Sequence, residues 1–105
     1  MIEIIKDKEK EGVYNIFGEM TIYDAEFIRV CLISILKENN GVEIDLSEVT
    51  DIDTTGIQIM YAIQNEAKNI QKKFRWINHS ESILNTINLL NLGNSLGETV
   101  SLEWS

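Results

Sequence analysis

The residues best suited to chemistry in this 105-residue chain lie together, in Ile44-Asp-Leu-Ser-Glu-Val-Thr-Asp-Ile-Asp-Thr-Thr-Gly-Ile-Gln-Ile-Met. An alternating apolar segment, Val42 to Leu46, reads as a strand. Ser47 to Asp53 is polar and reads as the acidic loop that ends it. A helical period begins near Thr55. Asp53-Thr54-Thr55-Gly56 thus presents a hydroxyl at a helix N-terminus. Backbone N–H groups there lack intrahelical partners, and the dipole favours added negative charge. A phosphate on Thr54 would be tolerated for that reason, and it would bring roughly two negative charges beside Asp51 and Asp53. A partner docked there with an acidic or apolar face would be repelled. A simpler reading stands beside this one: Asp53 or Thr54 is an ordinary N-cap.

Other residues invite weaker chemistry. Ile57 and Tyr61 are four apart on the second helix, off its inner stripe and one turn past Thr54, and so form a candidate apolar docking patch. The alternative is that the flanking helices cover them. Phe27 and Val30 on the first helix pose the same question. His79, the one histidine, lacks a second His or Cys nearby and reads as a loop or helix-start residue rather than a metal ligand. Glu48, Asp51 and Asp53 read as solvated acids rather than a magnesium cluster. Cys31 has helical spacing with Ile28 and Ile35, as a small buried hydrophobe would. A Thr54-His79-acid hydrolase is conceivable, but no phosphate loop, nucleophile elbow or metal spacing accompanies it. No catalytic residue, metal or cofactor is expected.

The elements that must position Thr54 follow from periodicity. Ile2 to Ile5 and Val13 to Phe17 read as a hairpin of short strands parted by the charged turn Lys6 to Gly12. Asp24 to Glu38 reads as a helix, with Ala25, Ile28, Leu32, Ile35 and Leu36 on one face. The second helix runs from about Thr55 to Ile70, with Gly56, Met60, Ile63, Ala67 and Ile70 as its core stripe. Phe74 to Ile77 is a strand. A third helix opens at Asn78-His-Ser-Glu, capped by Asn78 or Ser80, and its stripe is Ile83, Ile87 and Leu90. Gly93 and Gly97 punctuate its end, and Val100 to Trp104 reads as a last edge strand. The order β-β-α-β-α-β-α-β predicts one α/β domain over residues 1–105, with a mixed, mostly parallel sheet of four to five strands and helices packed against it.

Charge narrows the function. Nine Lys+Arg against 17 Asp+Glu leave a net charge of −8. Such a surface repels phosphate backbones and anionic membranes. The only basic cluster, Lys68, Lys72, Lys73 and Arg75, is small and diluted by Glu66. No apolar run approaches the ~20 residues of a membrane helix, and the start has no signal-peptide pattern. A single Cys fits a reducing compartment. The expectation is a small acidic cytoplasmic domain that binds no nucleic acid and does not insert into a membrane.

Five motifs in order resemble the STAS domain family, the fold of bacterial anti-sigma factor antagonists. They are Gly18-Glu19-Met20, Asp45-Leu46-Ser47, Asp53-Thr54-Thr55-Gly56, Asn78-His79-Ser80 and Leu90-Asn91-Leu92-Gly93. The likeness spans about residues 2 to 97. It implies that Thr54 is a phosphoacceptor, and that a serine/threonine kinase, often itself the anti-sigma factor, binds the unphosphorylated form. Phosphorylation ends that binding, and a PP2C-type phosphatase restores it. The chain itself then performs no chemistry. Asp24, Asp53, Thr55, Gly56, Ile57 and Tyr61 become the expected partner-binding residues: Asp53 orients the loop, Thr55 helps cap the helix, and Gly56 admits a partner's backbone. Sigma-pathway members often carry Gly-Glu-Leu-Asp where this chain has Thr21, with Asp24 the nearest acid. Thr21-Ile22 and Ile57-Gln58-Ile59 also resemble relatives in chemotaxis-type signalling and in lipid-transport ABC assemblies, which supply a second reading. An exposed Val100–Trp104 edge would allow a homodimer.

Overall fold

The computed structural model describes residues 2–90. Gly93, Gly97, the expected Val100–Trp104 strand and the Leu-Gly ending beyond Leu90 lie outside them.

The hairpin forms as its sequence predicts. Strands β1 (Ile2–Lys6) and β2 (Val13–Met20) pair antiparallel, with Ile4 opposite Ile16. The charged turn between them is held by Asp7, whose Oδ1 accepts from the N–H groups of Glu9 (2.8 Å) and Lys10 (3.0 Å). These bonds stabilise the ionised form and hold the Asp7 carboxyl below its ordinary range. Gly12 closes the turn at φ +74°, where an added Cβ would meet the Gly41 carbonyl oxygen at 2.3 Å.

Helix α1 (Ala25–Glu38) follows a short 3₁₀ turn, Ile22–Asp24. Its buried residues are Ile28, Leu32, Ile35 and Leu36, the face expected from their spacing. Strand β3 (Gly41–Ile52) pairs parallel with both β2 and β4 (Lys73–Ile77), and helix α2 (Thr54–Asn69) lies between β3 and β4 in the chain. Helix α3 (Glu81–Leu89) packs on β3. The result is a four-stranded mixed sheet in the order β1-β2-β3-β4 with three helices packed on it, the α/β architecture that strands alternating with helices predict.

One sheet face carries the core. Val42, Ile44 and Leu46 of β3, and Phe74 and Trp76 of β4, are buried, while the intervening Glu43, Asp45 and Arg75 are only half-buried. This is the two-residue period of a sheet with one covered face. Phe74 and Trp76 stack edge to face at 4.7 Å, and the Trp76 indole N–H donates to Gln64 Oε1. The inner stripe of α2, including Gly56, Met60, Ile63 and Ala67, is buried against them.

Two local expectations are corrected, and the open choice of α3 cap is decided. Ser47 to Ile52 is not a loop but the second half of β3. It pairs with the end of β2 through Gly18–Val49 and Met20–Ile52, with register shifts at Asn15/Phe17 and at Gly18/Glu19 that each add a residue to β3. Those irregularities break the alternation, so Val49 and Ile52 are the buried positions of an otherwise polar stretch. The α3 cap is Ser80, whose Oγ accepts from Ile83 N–H; Asn78 instead adopts φ +53° and donates to Asp45 Oδ2 at 2.8 Å. Leu90 is the C-cap of α3 and is exposed rather than part of its inner stripe. Trp76 is core, as a strand Trp predicts.

Candidate functional site

The site is the junction where β3 ends, α2 begins and the 3₁₀ turn crosses them. Asp53 makes the junction. It is the N-cap of α2 in extended backbone, and its Oδ1 accepts from Gly56 N–H at 2.9 Å. Its other oxygen, Oδ2, accepts from Ile22 N–H at 3.0 Å, 31 residues away. Its own N–H donates to the Met20 carbonyl at 3.3 Å. One carboxylate therefore ties the first turn of α2 to the segment Met20–Ile22.

Thr54 is the first residue of α2 and is exposed. Asp53 satisfies one of the N–H groups that a helix start leaves open, so those of Thr54 and Thr55 remain to favour an anion. Asp51 and Glu48, on β3 just before it, are exposed, as is Glu19 on β2, which pairs with Asp51. A group added to Thr54 would thus be anchored by the helix start and set among acids. Thr21, which stands where many sigma-pathway relatives have an acid, is buried, and its hydroxyl finds no hydrogen-bond partner in the structure. No buried carboxylate therefore lies at that position.

The other expected site residues divide. Asp24 is half-buried at the N-cap position of α1 and makes no side-chain cap bond. Capping of α2 falls to Asp53, and Thr55 sits half-buried one residue inside the helix. The close approach at Gly56 is intramolecular: a Cβ there would lie 2.2 Å from the Met20 carbonyl oxygen and 2.7 Å from Ile52 Cγ1. The glycine lets β2 pass over α2, and it is buried, so it offers no surface to a partner's backbone. Ile57 is 3% exposed and belongs to the core, and Tyr61 is half-buried against it. The flanking elements cover this pair, so it forms no docking patch.

The apolar surface lies elsewhere. Ile22 and Tyr23 of the 3₁₀ turn are exposed, Tyr23 at 91%. They adjoin the switch through the Ile22–Asp53 bond. Phe27 and Val30 of α1 are exposed as well, but on the side of that helix that faces β1 and β2. Sequence periodicity missed Ile22 and Tyr23 because they belong to neither the strand nor the helix. The available signal was an apolar pair stranded between two periodic segments. His79 is buried ahead of α3. β4, which leads to it, pairs with β3 only as far as Asp45, well short of Ile52, where β3 ends ahead of α2. No group of three or more potential metal ligands occurs among the described residues.

A family model for the STAS domain matches residues 4–103. The chain belongs to the STAS domain family. Among solved structures it is similar to an anti-sigma factor antagonist from Mycobacterium paratuberculosis, at 19% identity and a TM-score of 0.75, covering 92% of this chain and 84% of that one. It is also similar to a sulfate transporter family protein from Wolinella succinogenes (21% identity, TM-score 0.67, covering 89% and 78%). A third likeness is to the Bacillus cell fate determinant SpoIIAA in its phosphorylated form (14% identity, TM-score 0.62, covering 90% and 86%). A search of curated protein sequences gives no significant match.

Proposed function

We propose that this chain is a phosphorylation-gated protein-interaction module of the anti-sigma factor antagonist kind. Unphosphorylated, it binds an anti-sigma factor that is also a serine/threonine kinase. Phosphate on Thr54 releases that partner, and a PP2C-type phosphatase resets the module in the cytoplasm. The observation that carries this reading is the Asp53–Thr54 junction, an exposed threonine at the first position of α2, where Asp53 caps the Gly56 N–H and leaves those of Thr54 and Thr55 uncapped. The likeness to a phosphorylated antagonist supports it.

The docking surface in this reading is Thr54 with Asp24, Asp53 and Thr55, extended by Ile22 and Tyr23 of the turn that Asp53 holds. Phosphate gates contact by adding roughly two charges among acids, and the release of a partner needs only a few kcal/mol. The module performs no catalysis: the expected function asks for a surface rather than a pocket of reacting groups.

The test is phosphorylation by the candidate kinase with ATP, located by mass spectrometry. Phosphate at Thr54, and partner recovery that falls at least tenfold with Thr54→Glu, are the expected results. Phosphate elsewhere only, or equal recovery by wild type and Thr54→Glu, refutes the reading. A second reading, an accessory module of a chemotaxis-type or lipid-transport ABC assembly, draws support from Thr21 and from the likeness to a sulfate transporter family protein. In that case the partner would bind regardless of Thr54.

A further inference from the structure

A second surface lies away from the α2 N-terminus. Residues of β1, β2 and α1 together line an open groove of about 620 Å³. Its volume is in the range of ligand-binding clefts, about 300–1,000 Å³. The floor is Ile4 and Tyr14 from the strands, and the wall is Phe27, Val30 and Cys31 from α1. Ile4 pairs with the buried Ile16 and so faces the helix side of the sheet, yet it is only half covered. Phe27 and Val30 are each 53% exposed. An Asn39 side-chain N–H donates to the Tyr14 hydroxyl at 3.2 Å and fixes that ring. Burial, with Glu38 nearby, pushes the Cys31 thiol up, so it serves the groove as an apolar group and not as a thiolate.

The charges around the groove select what fits it. Both charged residues that line it are acids, Glu26 and Glu38, near opposite ends of α1. The cations of α1, Arg29 and Lys37, are not among the lining residues. Arg29 pairs with Glu26 at 2.8 Å, but both side chains are largely exposed, so this pair is weak and open to exchange. The wall from Phe27 to Glu38 spans about 17 Å at 1.5 Å per residue, roughly three helical turns. A second copy of this chain would bring the same two acids into a symmetric contact, on a molecule of net charge −8, and so fits poorly.

We propose that this groove docks a basic amphipathic helix of a partner protein. The helix sets apolar residues one turn apart against Phe27, Val30 and Ile4, and places Lys or Arg opposite Glu26 and Glu38. Apolar burial supplies the affinity and the acids supply the sign of the partner. The surface is independent of Thr54.

The test is a helix-forming random peptide library displayed on phage, selected on the full chain and counter-selected on Phe27→Asp. Enriched peptides are expected to carry apolar residues at i, i+3 or i+4 and i+7, with net positive charge. A synthesised winner should shift the amide NMR signals of Ile4 and of residues 26–38. It should bind Val30→Asp at least tenfold more weakly, and the Glu26→Lys/Glu38→Lys double variant at least fivefold more weakly. Chemical-shift mapping on the wild type needs no variant to fold, and thermal melts check those that are used. No enrichment over Phe27→Asp, acidic or uncharged winners, or shifts outside the groove would overturn the proposal. So would self-association of the chain that Phe27→Asp abolishes, which would assign the groove to a second copy.

Discussion

At the scale of single residues, the junction depends on one carboxylate and one missing side chain. Asp53 serves two N–H groups through its two oxygens. Asp53→Ala removes the cap of α2 and the tether to Ile22, and should cost about 1–2 kcal/mol. Asp53→Asn keeps an acceptor and should recover part of that loss, as read from urea midpoints. Gly56 is constrained more tightly, because the atom a Cβ would meet is the backbone oxygen of Met20. Backbone cannot rotate aside, so Gly56→Ala should cost about 3 kcal/mol, at the top of the range for overpacking. The urea midpoint should fall with an unchanged slope. Thr54 is exposed and should tolerate Glu with a change in stability within about 0.5 kcal/mol. Its effect then appears in binding alone.

At the scale of elements, α1 and α2 were legible because each buries the stripe that its 3.6-residue period marks. Gly56, Met60, Ile63 and Ala67 are all buried, as their spacing requires. β3 was legible only to Leu46. Beyond it, pairing with β2 through two register shifts holds Ser47–Ile52 in a strand whose composition reads as a loop. Ladder hydrogen bonds to a neighbour that is distant in sequence override local polarity there. Ile57 was misjudged for a related reason: α2 packs on α1 as well as on β3 and β4, and so buries more than its primary stripe. The β1–β2 turn carries a pH dependence. The folded Asp7 carboxyl has its pKa lowered from 3.8, chiefly by the Glu9 and Lys10 N–H bonds. Its contribution is therefore complete above that value and is lost as pH falls through the folded pKa. The stability gap between wild type and Asp7→Ala should be present at pH 6 and narrow as the pH is lowered through the folded Asp7 pKa, measured by urea titration at each pH.

At the scale of the whole molecule, one core lies between the sheet and its helices, and Ile63 sits fully buried within it. Ile63→Ala should cost about 2–5 kcal/mol. For a domain of this size each kcal/mol lowers the melting temperature by roughly 4–8 °C, so a thermal melt should show a drop of at least 8 °C. The same two-layer build sets function. A chain of net charge −8 with a rigid core offers its differences at the surface: the acidic α2 start at Thr54, and an apolar groove along α1. One is suited to gating by charge, the other to holding a partner helix.

Sequence alone determined the order of the elements, the inner stripes of the helices and the placement of Thr54 at a helix start. These rest on periodicity, caps and turn residues, which act over a few residues. Tertiary structure decided which apolar residues reach the surface. It put Ile57 inside and left Tyr23, Phe27 and Val30 outside, because coverage depends on which elements become neighbours. It also gave Gly56 its partner, the Met20 carbonyl, since only the parallel pairing of β2 with β3 brings that strand end across the first turn of α2.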